Sequence, residues 1–251
     1  MSLTFKNLHK SFGDKKVLKG VDLEVQRGEV LFIIGTSGVG KSVTIKHIIG
    51  LLKPDEGEIL LDGKPIHNLK EKDYYPIRKR CGMVFQSSTL FDSLTVLENI
   101  ILPLRKHKKL KGKNSEKEAM SLLEKVGMSD FAHRYPAALG DGMRKRVAIA
   151  RTLTMDPEYV LFDEPTTGLD PVSARRVDKL IRTLSDETGA TSIVVSHDLE
   201  SIFSIADRIA MVYKGIIHMV GTPKEFRESN DPVIQQFITG RSEGKMETPG
   251  F

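Results

Sequence analysis

The chain has no tryptophan, a single cysteine and only 6% aromatic residues. One cysteine, Cys81, cannot form an internal disulfide, which excludes a disulfide-stapled scaffold and fits a reducing compartment. At the start of an apolar run, Cys81 reads as a small strand residue with no chemistry of its own. Long apolar runs are also missing. The longest strongly apolar stretch is about "VLFII", far short of the ~20 residues that span a bilayer. The first residues, "MSLTFKNLHKSFG", lack the charged, apolar and small-residue succession of a signal peptide, so none is expected. The densest basic cluster, "RKHKKLKGK", has no interleaved aromatics, which argues against nucleic acid. A solvated loop is its first reading and a membrane-headgroup contact its second.

What is present fits a soluble globular protein with a substantial core: 251 residues, 39% apolar and 28% charged, with a modest net charge of +5. That length suits one domain with a subdomain, or two small domains. Four short apolar runs stop abruptly at polar or glycine residues. "VLFIIG" runs into "TSGVGKS", "MVFQ" stops at Gln86, "YVLFDE" at Asp163 and Glu164, and "TSIVVSHD" at Ser196 and His197. Helical segments lie between them, so the pattern is strand–helix–strand and the fold class α/β. In such sheets ligands bind outside the carboxyl ends of the strands. Four polar ends converging on one edge predict a site.

The first strand end is the most specific. Gly35-Thr36-Ser37-Gly38-Val39-Gly40-Lys41-Ser42, followed by Val43 and the helical "TIKHIIGLL", matches G-x-x-x-x-G-K-[ST] between a strand and a helix. The glycines let backbone N–H groups wrap phosphates, Lys41 adds positive charge, and Ser42 can hold Mg²⁺. This is a nucleotide phosphate loop. Asp163, ending a buried strand, is placed to bind the same Mg²⁺, and Glu164 to orient or deprotonate an attacking water. Taken alone, either acid reads as a helix cap before "PTTGLD". Gln86 and His197 are weaker signals that gain weight from the shared sheet edge. The Gln86 side chain can reach metal or water, and a neutral His197 imidazole can meet a γ-phosphate oxygen.

In this order the motifs closely resemble those of the nucleotide-binding subunit of ABC transporters, over about Leu3 to Ile238. Phe12 stands where that family has an adenine-stacking aromatic, and "LGDGMRKRVAIAR", "YVLFDEP", "TTGLD" and His197 follow the phosphate loop. The resemblance implies a P-loop NTPase (RecA-like) core over about residues 1 to 85 and 155 to 240. It adds an N-terminal antiparallel β-subdomain and an inserted α-helical subdomain at about 87–152, within one ATPase domain spanning 1–240. "LLDGKPI" reads as a hairpin turning at Asp62-Gly63. Residues 241–251 read as a flexible tail, with Phe251 a candidate anchor on an opposite subunit.

The resemblance further implies a homodimer in which Gly140, Asp141 and Gly142 of one copy close over the ATP and Mg²⁺ held by the other, and Asp170 links the two sites. The family pattern there is Leu-Ser-Gly-Gly-Gln. This chain keeps Leu139 and Gly142 but has Gly140, Asp141 and Met143 at the other places. Two like charges ~4 Å apart repel by roughly 1 kcal/mol in water and about 4 kcal/mol at an effective dielectric of 20. A working but weakened site is expected, or a milder outcome in which Asp141 turns outward and caps the following helix, a residue type that tolerates left-handed backbone.

Within the family, "IRKRCGMVFQSSTLFDSLTVLENIILPLRKH" and "SIADRIAMVYKGIIHMVGTPKEF" resemble the ATPase of Mla/Mce-type lipid transporters in bacteria with an outer membrane. That implies a cytoplasmic, inner-membrane-associated subunit beneath an MlaE-like permease, docked at the segment after Gln86 with Leu90 and Phe91 exposed. A small MlaB-like regulatory protein is a further implied partner. Amino-acid import ATPases share most of these motifs and are the runner-up. A nucleotide-gated DNA-associated module ranks below both, since the chain has one phosphate loop, one cysteine and no extended heptads. Replacing Lys41 by alanine is expected to cost nucleotide binding or turnover by at least about tenfold, roughly 1.4 kcal/mol, measured by nucleotide titration and phosphate release.

Overall fold

The computed structural model describes residues 2–241 and 243–245. Two antiparallel strands open the chain, β1 (Leu3–Phe12) and β2 (Lys15–Val25), followed by β3 (Val30–Ile34), the helix α1 (Lys41–Ile48), β4 (Glu56–Leu61) and β5 (Lys64–Pro65). Then come α2 (Tyr74–Arg80), β6 (Cys81–Val84), and three helices in succession: α3 (Val96–His107), α4 (Gly112–Lys125) and α5 (Asp141–Leu153). The chain returns through β7 (Tyr159–Asp163), α6 (Pro171–Thr188), β8 (Thr191–Val195), α7 (Leu199–Ile205), β9 (Arg208–Tyr213), β10 (Ile216–Gly221), α8 (Pro223–Glu228) and α9 (Pro232–Thr239).

The strands form two sheets, in the orders β2-β1-β4-β5 and β10-β9-β3-β8-β7-β6. The first is antiparallel. Its β4–β5 hairpin turns at Asp62 and Gly63, both at positive φ (53° and 74°), the backbone that a two-residue turn between right-twisted strands demands. In the second sheet β9, β3, β8, β7 and β6 are mutually parallel, and only β10 runs antiparallel. β3 is wholly buried, so its residues alternate between two cores. Leu31 and Ile33 face the N-terminal sheet with Phe5, Ile45 and Ile59. Val30, Phe32 and Ile34 face the helical side with Ile149, Ile181 and Val194.

The three helices α3, α4 and α5 are inserted between β6 and β7, against the second core. Thr95 starts α3 with a capping box to Glu98. Within the stretch after Gln86, Val96, Leu97 and Ile100 are buried. Phe91 is exposed, but Leu90, expected to be exposed beside it, packs partly against the core. Most of the basic stretch at 105–113 is exposed, with Lys108 held by Asp156 at 2.5 Å. Cys81 is buried at the first position of β6, where burial pushes its thiol up to about 12. The Lys245 carbonyl accepts a hydrogen bond from Tyr213 at 2.8 Å, so this part of the tail lies against β9. Phe251 lies outside the described residues. No helix among the described residues is long and apolar enough to cross a membrane. Ile33→Ala, in the central strand, is expected to cost about 2–5 kcal/mol of stability, read from the urea midpoint.

Candidate active site

Because β3, β8, β7 and β6 are parallel neighbours, the four polar strand ends expected from sequence lie along one edge of the sheet. β3 delivers the phosphate loop. Gly40, at φ 108°, turns the chain into α1, and a Cβ there would fall 2.5 Å from Leu18 Cδ2. A side chain is excluded both by backbone and by space. Lys41 is buried and folded back over the loop, donating to the carbonyls of Gly35 at 2.9 Å and Thr36 at 3.0 Å. Burial pushes its ammonium pKa down, opposed by the Glu164 and Asp163 carboxylates. Ser42 Oγ lies 2.5 Å from Asp163 Oδ1, and Lys46 Nζ 3.4 Å from Oδ2. Lys46 was missed from sequence; its signal is position i+4 from Ser42 on one helix face.

Phe12 ends β1 half-exposed, its ring 5.7 Å from Lys10 Nζ. It borders a hollow of about 290 Å³ lined also by Lys15, Val17, Gly38, Gly40 and Ser42. The phosphate loop and this aromatic therefore share one concavity, with Thr36, Ser37 and Val39 in the intervening loop. Val43 lines it from the first turn of α1.

Glu164 follows β7 with φ 50°, the left-handed region rare for residues with a side chain. Its N–H donates to the Val195 carbonyl at 2.9 Å, tying it to β8. Its Oε2 accepts from Thr167 Oγ1 at 2.9 Å and contacts His197 Nδ1 at 2.9 Å. The fold thus brings Glu164 and His197, which follow neighbouring strands, into contact.

Gln86 is exposed past β6, and its backbone carbonyl is its bonded group, accepting from Lys145 Nζ at 2.6 Å. Burial pushes the Lys145 ammonium down to about 8, against the pull of Asp141 and Asp163. Lys145 was also missed; its signal is the position i+4 from Asp141, on the side of α5 that turns inward.

At the start of α5, Gly140 is the N-cap, with φ −69° and ψ 162° and no side-chain cap. Asp141 is already helical. The expectation that it caps the helix or takes left-handed backbone is corrected: its carboxylate pairs with Arg144, one turn on, and sits at the positive end of the helix dipole. Arg144 in turn donates to the Leu139 carbonyl at 2.8 Å. Gly142 abuts α6, where a Cβ would lie 2.9 Å from Ser173 Cβ. Asp170 caps α6, accepting from the N–H groups of Val172 and Ser173 at 3.0 Å, and these bonds, led by the Ser173 hydroxyl, hold its carboxyl below the usual range. Gly140–Gly142 and Asp170 thus border one hollow of about 510 Å³.

Among the described residues no group of three or more His, Cys, Asp or Glu could hold a metal alone. Ser42 and Asp163 supply hard oxygen donors beside the phosphate loop. That sparse set fits Mg²⁺, which keeps waters and takes phosphate oxygens as further ligands.

A parallel sheet with a phosphate loop, an acid pair and a histidine along one edge defines a nucleotide-binding ATPase. The family profile described as "ABC transporter" matches residues 18–167, and the chain belongs to that family as an ATP-binding, ATP-hydrolysing cassette. It is 38% identical to the intermembrane phospholipid transport system ATP-binding protein MlaF of Haemophilus influenzae, over 96% of this chain and 91% of that protein. It is 36% identical to the probable ribonucleotide transport ATP-binding protein mkl of Mycobacterium leprae, over 98% of this chain and 71% of that one. Among solved structures, the ATP-binding cassette MJ0796, a dimer in a post-hydrolysis state bound to ADP and Pi, superposes with a TM-score of 0.80 at 33% identity, covering 88% of this chain and 98% of its own.

Gly142→Ala is expected to force α5 off α6 and cost about 1–3 kcal/mol. Chemical denaturation of the double variant with Ser173→Gly should recover part of that loss, since the opposing side chain is then gone.

Proposed function

We propose that two copies of this chain bind two Mg-ATP between them and, on the cytoplasmic face of the inner membrane, drive an MlaE-like permease that moves phospholipid between the inner and outer membranes. The observation that carries the ATPase chemistry is the 2.9 Å contact between Glu164 and His197 beside the Ser42–Asp163 contact. Similarity to a phospholipid-transport ATPase over nearly its whole length supports the substrate class. A small MlaB-like regulatory protein is a further partner to seek in the same complex.

In this reading Phe12 stacks on adenine, and the loop from Gly35 to Val43 surrounds the phosphates with Lys41 as its charge. Ser42, Asp163 and Gln86 hold Mg²⁺, which when bound neutralises and orients the phosphate oxygens. Lys41 exchanges its two loop carbonyls for phosphate oxygens. His197 leaves Glu164 for the γ-phosphate, and the freed Glu164 carboxylate orients and deprotonates the attacking water. Gly140, Asp141 and Gly142 close the site from the other copy, and Asp170 connects the two sites. The Asp141–Arg144 pair offsets part of the repulsion that an unpaired carboxylate would exert on ATP, which supports a weakened rather than an abolished closure. Phe91, Leu102, Pro103 and Met155 border a groove of about 440 Å³ suited to a permease helix.

Glu164→Gln should retain ATP binding and lose turnover. In that background, Mg-ATP-dependent dimerisation measured by sedimentation is expected to strengthen on adding Asp141→Gly. Equal dimerisation of both proteins would mean that Asp141 faces away from phosphate. Reconstituted with its permease, the ATPase should be stimulated by phospholipid and support lipid transfer between vesicles. Stimulation by a small solute instead would favour the importer reading, in line with the relative named for ribonucleotide transport.

A further inference from the structure

Lys145 has only 2% of its surface exposed, although it carries a charge. Burying an ammonium is costly unless it is fully hydrogen-bonded, and an apolar side chain would fill the same space without that cost. Its Nζ crosses from α5 to the end of β6 and donates to two consecutive carbonyls, Phe85 at 3.0 Å and Gln86 at 2.6 Å. Further along the same helix, Thr152 Oγ1 reaches the Met83 carbonyl at 3.4 Å, and Arg151 donates to the Thr89 carbonyl at 2.9 Å. α5 therefore holds the segment 83–89 at two levels, Lys145 at one and Arg151 with Thr152 about two turns on, and Lys145 holds the level that carries Gln86. It is also one turn from Asp141, and Gln86, Asp141, Arg144 and Lys145 share the wall of a cavity of about 610 Å³.

We propose that Lys145 is a positioning residue that locks the Gln86 loop to the helix presenting Gly140–Gly142, so that the part of the chain serving its own nucleotide and the part serving the partner copy's nucleotide move as one body. The proposal rests on the roles given above to Gln86 and to the start of α5. Charge-assisted bonds to two carbonyls are stronger than neutral ones and less easily replaced by water. A shift of α5 toward a bound nucleotide is then transmitted to Gln86 directly, through one side chain.

The test uses the full chain, with ATP and Mg²⁺ as ligands and Gln86→Ala as the reference. Lys145→Met is expected to lower kcat by about tenfold with ATP affinity changed less than about twofold, and Lys145→Arg to recover kcat to within about threefold of the native value. The Mg²⁺ concentration for half-maximal rate should rise in the Met variant. The double variant Gln86→Ala/Lys145→Met should be no slower than Gln86→Ala alone, because both act through one side chain. If the Met variant melts early, Lys145→Gln and Lys145→Arg carry the same comparison. Losses that multiply in the double variant overturn the coupling while leaving the Gln86 assignment standing. Normal turnover in Gln86→Ala itself removes that assignment, and the proposal with it.

Discussion

The constraint on which the site depends is the parallel register of β3, β8, β7 and β6. Each strand pairs with its neighbour over four or five residues and stops at the same level. Four chain segments far apart in sequence therefore change from apolar to polar along one line. Moving any strand by a single residue would turn its alternating side chains to the other core and carry its terminal residue to the wrong face. The two cores on either side of β3 hold that register, since neither accepts the other's set of side chains without leaving voids.

Along that edge, the charged groups are arranged in pairs. Asp163 meets Ser42 and Lys46, Glu164 meets Thr167 and His197, and Asp141 meets Arg144. Lys41 is bonded to the carbonyls of its own loop. Bonds of this kind keep polar groups satisfied and can be exchanged for ligand contacts with little net loss. The unusual spelling of the stretch at 139–143 fits the same scheme. Its added carboxylate is accompanied by a cation at i+3, so the net charge it offers a neighbouring phosphate is smaller than the substitution alone implies.

Helix α5 connects these local arrangements. Its first turn borders α6 at Ser173, Lys145 and Arg151 hold the loop after β6, and Thr152 reaches β6 itself at Met83. The inserted helices are consequently tied to the parallel sheet by polar bonds at the site as well as by apolar packing beneath it. The helical insertion is hydrogen-bonded to the sheet side at the point where Gln86 leaves it.

The α/β pattern, the phosphate loop, the Asp62-Gly63 turn and the strand ends at Asp163, Glu164 and His197 were legible in the sequence. Each is encoded locally, by runs of buried residues, by glycines at required positive φ, or by a motif of fixed spacing. Lys46, Thr167 and Lys145 were not singled out, because a lysine or threonine in a helix or loop has no local mark of the partner it meets. Nor could the sequence reveal that Glu164 adopts left-handed backbone, that His197 lies on Glu164, or that Asp141 is helical and paired. The sequence by itself determined which polar residues stand at the strand ends and which segments bury themselves. Tertiary structure alone decided their pairing, because hydrogen bonds and ion pairs a few ångströms long depend on strand register and helix rotation, which are set by packing across the whole core.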